Sequence, residues 1–167
     1  FAGGIGTDSY PYKISTKEQL DHIREHLDAS FVLTDDVVFT PDDFAEGGAF
    51  YNSGAGWEPI GNWEIPFTGT FNGNGHAIAG MNVSMSETTQ LDACAGLFGK
   101  IEKATIQNVR LTNNIVKSDT QSGRLYVGSM AGYAADSLIQ ACSSDGTVEA
   151  VALAEMSDVY AGGLLGG

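Results

Sequence analysis

Basic residues are scarce. The 167-residue chain carries 8 Lys and Arg against 21 Asp and Glu, a formal net charge of −13. Nucleic-acid binders draw affinity from a basic patch that neutralises phosphates, so scattered cations on so acidic a chain exclude nucleic acid as a partner. Two cysteines are too few for a disulfide scaffold. No apolar run approaches the roughly 20 residues that a bilayer-spanning helix needs, so membrane insertion by this segment is not expected. The opening Phe1-Ala2-Gly3-Gly4 lacks the charged and apolar regions of a signal peptide. Proline is absent beyond Pro66, and both tryptophans, Trp57 and Trp63, precede that point.

What is present divides the chain. The first 66 residues hold 12 acidic and 3 basic residues and all four prolines, which suits a cap and a first irregular coil. From Phe67 to Gly167, glycines punctuate short Val/Ile/Leu runs, the pattern of strands joined by tight turns. One structural domain is expected, with 1–66 as the N-terminal part and 67–167 as the repetitive part.

Those runs repeat. Leu97-Phe98-Gly99 returns as Met130-Ala131-Gly132, 33 residues on, and as Leu164-Leu165-Gly166, 34 further. In the same register Ile106, Val109 and Leu111 stand against Ile139, Cys142 and Ser144, and Ile115 against Val148, while Ile78, Met81 and Val83 form an earlier, shorter copy. A unit of this length holds about three short strand candidates and too little apolar surface to fold alone. Stacking units at the strand spacing of roughly 4.8 Å buries it. The reading is an all-β chain, a parallel β-solenoid, with an antiparallel sandwich as the alternative. The sandwich predicts hairpins rather than side-chain identity at an offset of 33.

One stretch has helical period. Ser15 and Thr16 are N-cap candidates with Glu18 and Gln19 three residues later, and Leu20, Ile23 and Leu27 share one face. This predicts a short capping helix over about 16–27, just before a first strand at Phe31-Val32-Leu33. At the other end Tyr160–Gly166 opens a repeat that Gly167 leaves incomplete. The chain is therefore expected to be a fragment of a longer protein, with end-to-end self-association through its uncapped last coil.

The order of several blocks points to a family. Pro11-Tyr12-Lys13-Ile14-Ser15-Thr16, Trp57-Glu58-Pro59-Ile60-Gly61, Phe67-Thr68-Gly69-Thr70-Phe71 with the turn Gly73-Asn74-Gly75-His76, and Gly96-Leu97-Phe98-Gly99 follow one another along the chain. In this it resembles the GLUG-repeat domains of bacterial surface proteins. The resemblance implies a right-handed parallel β-helix at an extracellular or cell-surface location. It also implies a non-catalytic, adhesin-like or spacer role toward a host protein, matrix or glycan. Met130-Ala131 and Asn72 depart from the usual pattern without creating a site.

Several residues invite a chemical reading. His22-Ile23-Arg24-Glu25-His26 matches H-x-x-E-H, in which two histidines on one helical face bind zinc and the glutamate activates water. The only other histidine is His76, so the balance favours two exposed histidines on the outer side of a capping helix, with a zinc peptidase a distant alternative. Asp35-Asp36 and Asp42-Asp43 could offer oxygens to calcium but lack the ligand spacing of a dedicated loop. Trp57 and Trp63 are candidates for a sugar platform, the feature behind a carbohydrate-binding or carbohydrate-cleaving alternative resembling pectin lyases. The outward row Asn82, Arg110, Ser143 has no carboxylate beside the arginine, and no catalytic residue is assigned. Cys94 and Cys142 are read as free, buried thiols. No cofactor is expected.

Overall fold

A computed structural model describes residues 1–88, 92–155 and 157–167. Within these the chain is mostly strand, every ladder is parallel, and the strands form four sheets. The first sheet runs in the order Tyr12–Ile14, Ser30–Leu33, Thr70–Asn72, Thr105–Gln107, Leu138–Gln140. The second places Arg110–Thr120 between Ser143–Ala152 on one side and Ala77–Ala79 and Asn82–Thr88 on the other, with Val37–Val38 beyond Ala77–Ala79. The third is Asp92–Ala95, Gly123–Gly128, Ser157–Gly162, and the fourth Phe98–Glu102, Ala131–Ala135. From Thr105 the chain visits the four sheets in turn and returns to the first beside its previous passage.

The corners repeat as well. Asn74, Asn108 and Ala141 have φ of 52°, 55° and 52°, and Lys103 and Asp136 have 53° and 48°. A left-handed residue turns the chain between sheets at the same place in each passage.

Side chains that share a row stack into the core. Phe31, Phe71, Ile106 and Ile139 pair successively, as do Val83, Val116 and Val148 and Ala93, Leu125 and Val159. Phe67 and Phe98 meet at a ring-centroid distance of 4.9 Å, and Phe71 packs edge-on to Phe98 at 5.7 Å. A second aromatic group, Phe39, Phe50 and Trp57, joins at 5.2–5.8 Å and closes the side of the early passages.

The 33-residue register of Ile106 with Ile139 and of Phe98 with Ala131 is as expected. Two rows are not. Ile78 pairs with Leu111, and on the side of the earlier passage Ile106 pairs with Phe71. The turn at Gly73–His76 has already carried Ile78 into the second sheet, so the earlier copy was read one sheet out of place. Asn82 accordingly faces Ile115, and the row containing Arg110 is Ala77, Arg110, Ser143. Ile115 pairs with Thr147, and Val116 takes Val148, because the register slips between Leu111 and Asn114. Asn113 (φ 51°) and Gly146 (φ 134°) make the bend there, and a Cβ on Gly146 would lie 2.0 Å from the Asn114 carbonyl oxygen. The slip turns Ile115 outward and leaves Val116 fully buried.

The cap also differs from expectation. The α-helix is confined to Lys17–Asp21, with the Thr16 hydroxyl accepting from the Gln19 N–H, and His22–Glu25 is a 3₁₀ turn. Tyr12–Ile14 precedes it as the outermost strand. Lys13 exchanges backbone hydrogen bonds with Ala2 and Gly3 on that strand's far side, which blocks the sheet edge. Ile14, Leu20 and Ile23 are fully buried beneath this arrangement.

Candidate functional site

The loop after Ile60 is held by Asn62, whose side-chain oxygen accepts from the N–H groups of Glu64 and Ile65, a local turn typical of asparagine. It presents Trp63. Its ring stacks on Tyr126 at 5.7 Å with 11° between planes and meets Tyr133 at 4.9 Å. Tyr126 in turn stacks on Tyr160, one passage further, at 4.9 Å and 11°. Two cations lie over the indole, Lys100 Nζ at 4.9 Å and Arg124 Cζ at 5.7 Å. Arg124 is ion-paired with Asp92 at 2.7 Å, and that neighbouring carboxylate raises its pKa. Burial raises the pKa of the Tyr126 hydroxyl.

A shallow groove of about 390 Å³ adjoins this group, lined by Trp63, Ile65 and Met85 on the apolar side and Arg24, Glu58 and Asp92 on the polar side. Arg24 is fixed by Asp21 at 2.6 Å and donates to the carbonyls of Glu58 and Pro59. One wall of the groove is thus tied to the cap. Aromatic and aliphatic surface beside fixed polar groups suits a ligand with alternating C–H and O–H faces.

Trp57, the other sugar-platform candidate, is not at the surface. It is fully buried, donates its indole N–H to the Leu97 carbonyl at 3.1 Å, and packs against Phe39 and Phe50. The sequence signal could not separate it from Trp63, since both flank the same Pro-Ile-Gly. The tyrosines were missed because Tyr126, Tyr133 and Tyr160 are distant in sequence from Trp63. The recurrence of tyrosine at 126 and 160, one repeat apart, is the signal that could have found two of them.

Three of the four aspartates are already engaged. Asp43 is buried, accepts from the Thr40 N–H and hydroxyl in the capping box of the short helix Pro41–Phe44, and pairs with Lys17 at 2.5 Å. Burial pushes its carboxyl upward, but the Lys17 and Thr40 hydrogen bonds outweigh this and hold it below the usual range. Asp36 accepts from the Ala77 N–H at 2.8 Å, which lowers its pKa, and lies 3.4 Å from His76. Asp35 accepts from the Asp36 N–H. The four carboxylates do not converge: among the described residues the one cluster of three or more metal-ligating side chains is His22, Glu25 and His26. Their ligand atoms all lie within 4.8 Å of one another. Of these, His26 is half-buried rather than exposed as expected, because Phe1 and Tyr12 pack on its ring.

Cys94 and Cys142 are both free. Burial, reinforced by Asp92, pushes the Cys94 thiol up to about 12. Cys142 is half-buried rather than buried as expected: it sits between Leu138–Gln140 and Ser143–Ala152, which among the described residues are the outermost strands of their sheets.

No family model matches the chain. Over 135 residues, 79% of its length, it is 34% identical to a protein of Evansella cellulosilytica named "Putative Gly-rich membrane protein". Over 147 residues, 87% of its length, it is 33% identical to "Halomucin" of Haloquadratum walsbyi. The chain spans only 14% and 2% of these two relatives. A solved structure described as a "putative immunoglobulin A1 protease" from Bacteroides ovatus superposes with a TM-score of 0.58 over 87% of this chain and 50% of that one, at 23% identity. At that identity the likeness concerns the fold alone. Among the described residues no helix is long and apolar enough to cross a membrane.

Proposed function

We propose that this chain is a right-handed parallel β-helix module of a bacterial cell-surface or secreted protein, akin to GLUG-repeat domains, with an adhesin-like binding or spacer role and no catalytic step of its own. The observation that carries the reading is the stacking of residues 32–34 apart in parallel ladders on all four sheets, since coils of this kind present long, flat, rigid faces. The names of the two relatives, a Gly-rich membrane protein and a halomucin, support an extracellular surface setting, and their much greater length supports a modular role. The GLUG kinship rests on the residues alone.

Within that role the groove beside Trp63 is the ligand-contact region, and the ligand it suits is a glycan. Trp63, Ile65 and Met85 supply apolar surface, and Glu58, Asp92 and Arg24 supply hydrogen-bonding groups. The test is an array of mucin-type, matrix and plant-type glycans probed with the purified chain and with Trp63→Ala, combined with analysis of the incubated glycans for cleavage. Saturable binding lost in the variant, with intact glycans, is the expected result. Shortened glycans would replace the module reading with a carbohydrate-cleaving one. Equal binding by the variant would place the contact elsewhere.

A further inference from the structure

We propose that His22, Glu25 and His26 form a binding site for a divalent transition cation, Zn²⁺ foremost, on the outer side of the N-terminal cap. The donor set is right for that ion: two imidazoles and a carboxylate suit zinc, and three protein ligands leave one tetrahedral position for water or an external donor.

Geometry brings the donors together. The α-helix ends at Asp21, and the tighter 3₁₀ turn that follows superposes His22 and Glu25 one above the other. His22 Nε2 and a Glu25 carboxylate oxygen are 3.0 Å apart. Two ligands on one tetrahedral zinc sit about 3.3 Å apart, given metal–ligand distances near 2.0–2.1 Å, so this pair already has the required separation. His26 follows with its ring parallel to that of His22, at 12° and 5.9 Å between centroids. All three ligand atoms fall within 4.8 Å of one another, with His22 and Glu25 exposed and His26 half-buried.

The rings are also supported. Phe1 packs against His22 at 5.4 Å and His26 at 5.6 Å, Tyr12 against His26 at 5.4 Å, and Phe1 stacks on Tyr12 and leans on the buried Phe31. This aromatic backing restrains both imidazoles before any ion arrives and so reduces the ordering cost of binding. Arg24, the cation within the motif, is drawn away by Asp21 and by the Glu58 and Pro59 carbonyls. Its guanidinium is paired with Asp21 and not with Glu25, and the Asp21 carboxylate offsets its charge. On binding, Zn²⁺ replaces the direct contact between His22 Nε2 and the Glu25 carboxylate, and no covalent or redox step is involved.

The experiment is calorimetric titration of the tag-free chain with ZnCl₂, alongside His22→Gln, Glu25→Gln and His26→Gln, with circular dichroism to verify folding. One zinc per chain is expected, and each variant should weaken binding at least roughly tenfold, the lower bound seen when even an outer partner of a metal ligand is removed. Imidazole NMR of the wild-type chain supplies a reading that needs no variant. With three histidines in all, the ring signals of His22 and His26 should shift with zinc and those of His76 should stay. Absence of one-to-one binding, binding that survives His26→Gln, or a shift at His76 as large as at the other two would each overturn the site.

Discussion

Ile106 and Ile139 occupy the same position one repeat apart and pair with each other, yet Ile106 is fully buried and Ile139 only partly. The difference holds down the molecule. Val116 is sealed and Val148 is not, and Leu125 is sealed while Val159 is not. At the opposite end Ile14, Leu20 and Ile23 are fully buried although they too lie in an outermost layer. A repeat position acquires core character only when something lies on both sides of it. At the N-terminal end a helix, a 3₁₀ turn and a backbone-paired segment supply the second side. At the C-terminal end the strands Leu138–Gln140, Ser143–Ala152 and Ser157–Gly162 each have, among the described residues, a ladder on one side only, and Leu138, Val151, Leu153 and Tyr160 are 40–52% exposed.

The strongest way to break this comparison is a buried charge. Ile106→Asp should abolish cooperative thermal unfolding, a loss beyond about 4 kcal/mol, because its carboxylate would have no partner and no water. Ile139→Asp should leave a cooperative transition at a lower temperature. Equal losses in calorimetry would mean that the last passage is as well covered as the interior.

Next in size is the cap. Asp43→Asn removes the negative partner of Lys17 and weakens the capping box over Thr40, at a cost of about 1–3 kcal/mol at neutral pH by denaturant titration. The Asp43 carboxyl is depressed in the folded protein. Its contribution is therefore fully present above the unfolded value near ~3.9 and is lost as the pH falls through the lower folded value. The deficit of the variant should shrink in acid over that range, and a deficit that stays constant would show that the cap does not depend on this charge.

A smaller effect of opposite sign is expected at the open end. Ala141 holds the left-handed corner that Asn74 and Asn108 hold in earlier passages. Asparagine tolerates that conformation better than alanine, so Ala141→Asn should raise stability by about 0.5–1 kcal/mol, read as a rise in melting temperature. No gain would indicate that the last corner is not maintained in solution.

The mildest probe leaves the chain unaltered. Under native conditions a maleimide should modify Cys142 well before Cys94, as followed by mass spectrometry of peptides, because Cys94 is buried with its thiol pushed up to about 12 and Cys142 sits in the uncovered passage. Similar rates at the two thiols would remove the contrast between interior and end.

Much of the architecture was legible in the chain. The recurrence of Leu97-Phe98-Gly99, Met130-Ala131-Gly132 and Leu164-Leu165-Gly166 matches the observed pairing of Phe98 with Ala131 and of Ala131 with Leu165. Pattern matching failed where the spacing of apolar residues was the same in two different settings. Ile78-x-x-Met81-x-Val83 imitates Ile106-x-x-Val109-x-Leu111 but belongs to the next sheet, since a turn consumes residues without leaving an apolar mark. The site was less legible than the fold. Trp63 and the His22, Glu25, His26 cluster were visible as motifs, while the tyrosine stack and the engagement of Asp43 by Lys17, 26 residues away, depend on neighbours that no local pattern reveals.

By itself the sequence determined the all-β character, the 33-residue period and the presence of a helical cap, because these follow from local preferences and from repetition, which act along the chain. Only the tertiary structure decided that Val116 and not Ile115 faces the core, that Trp57 is interior while Trp63 lines a groove, and that the ligand atoms of three side chains of the cap come within 4.8 Å of one another. Each of these is set by what lies across the stack. A one-residue bend at Asn113 and Gly146 reverses every side chain after it, and burial is a property of the second neighbour, not of the residue.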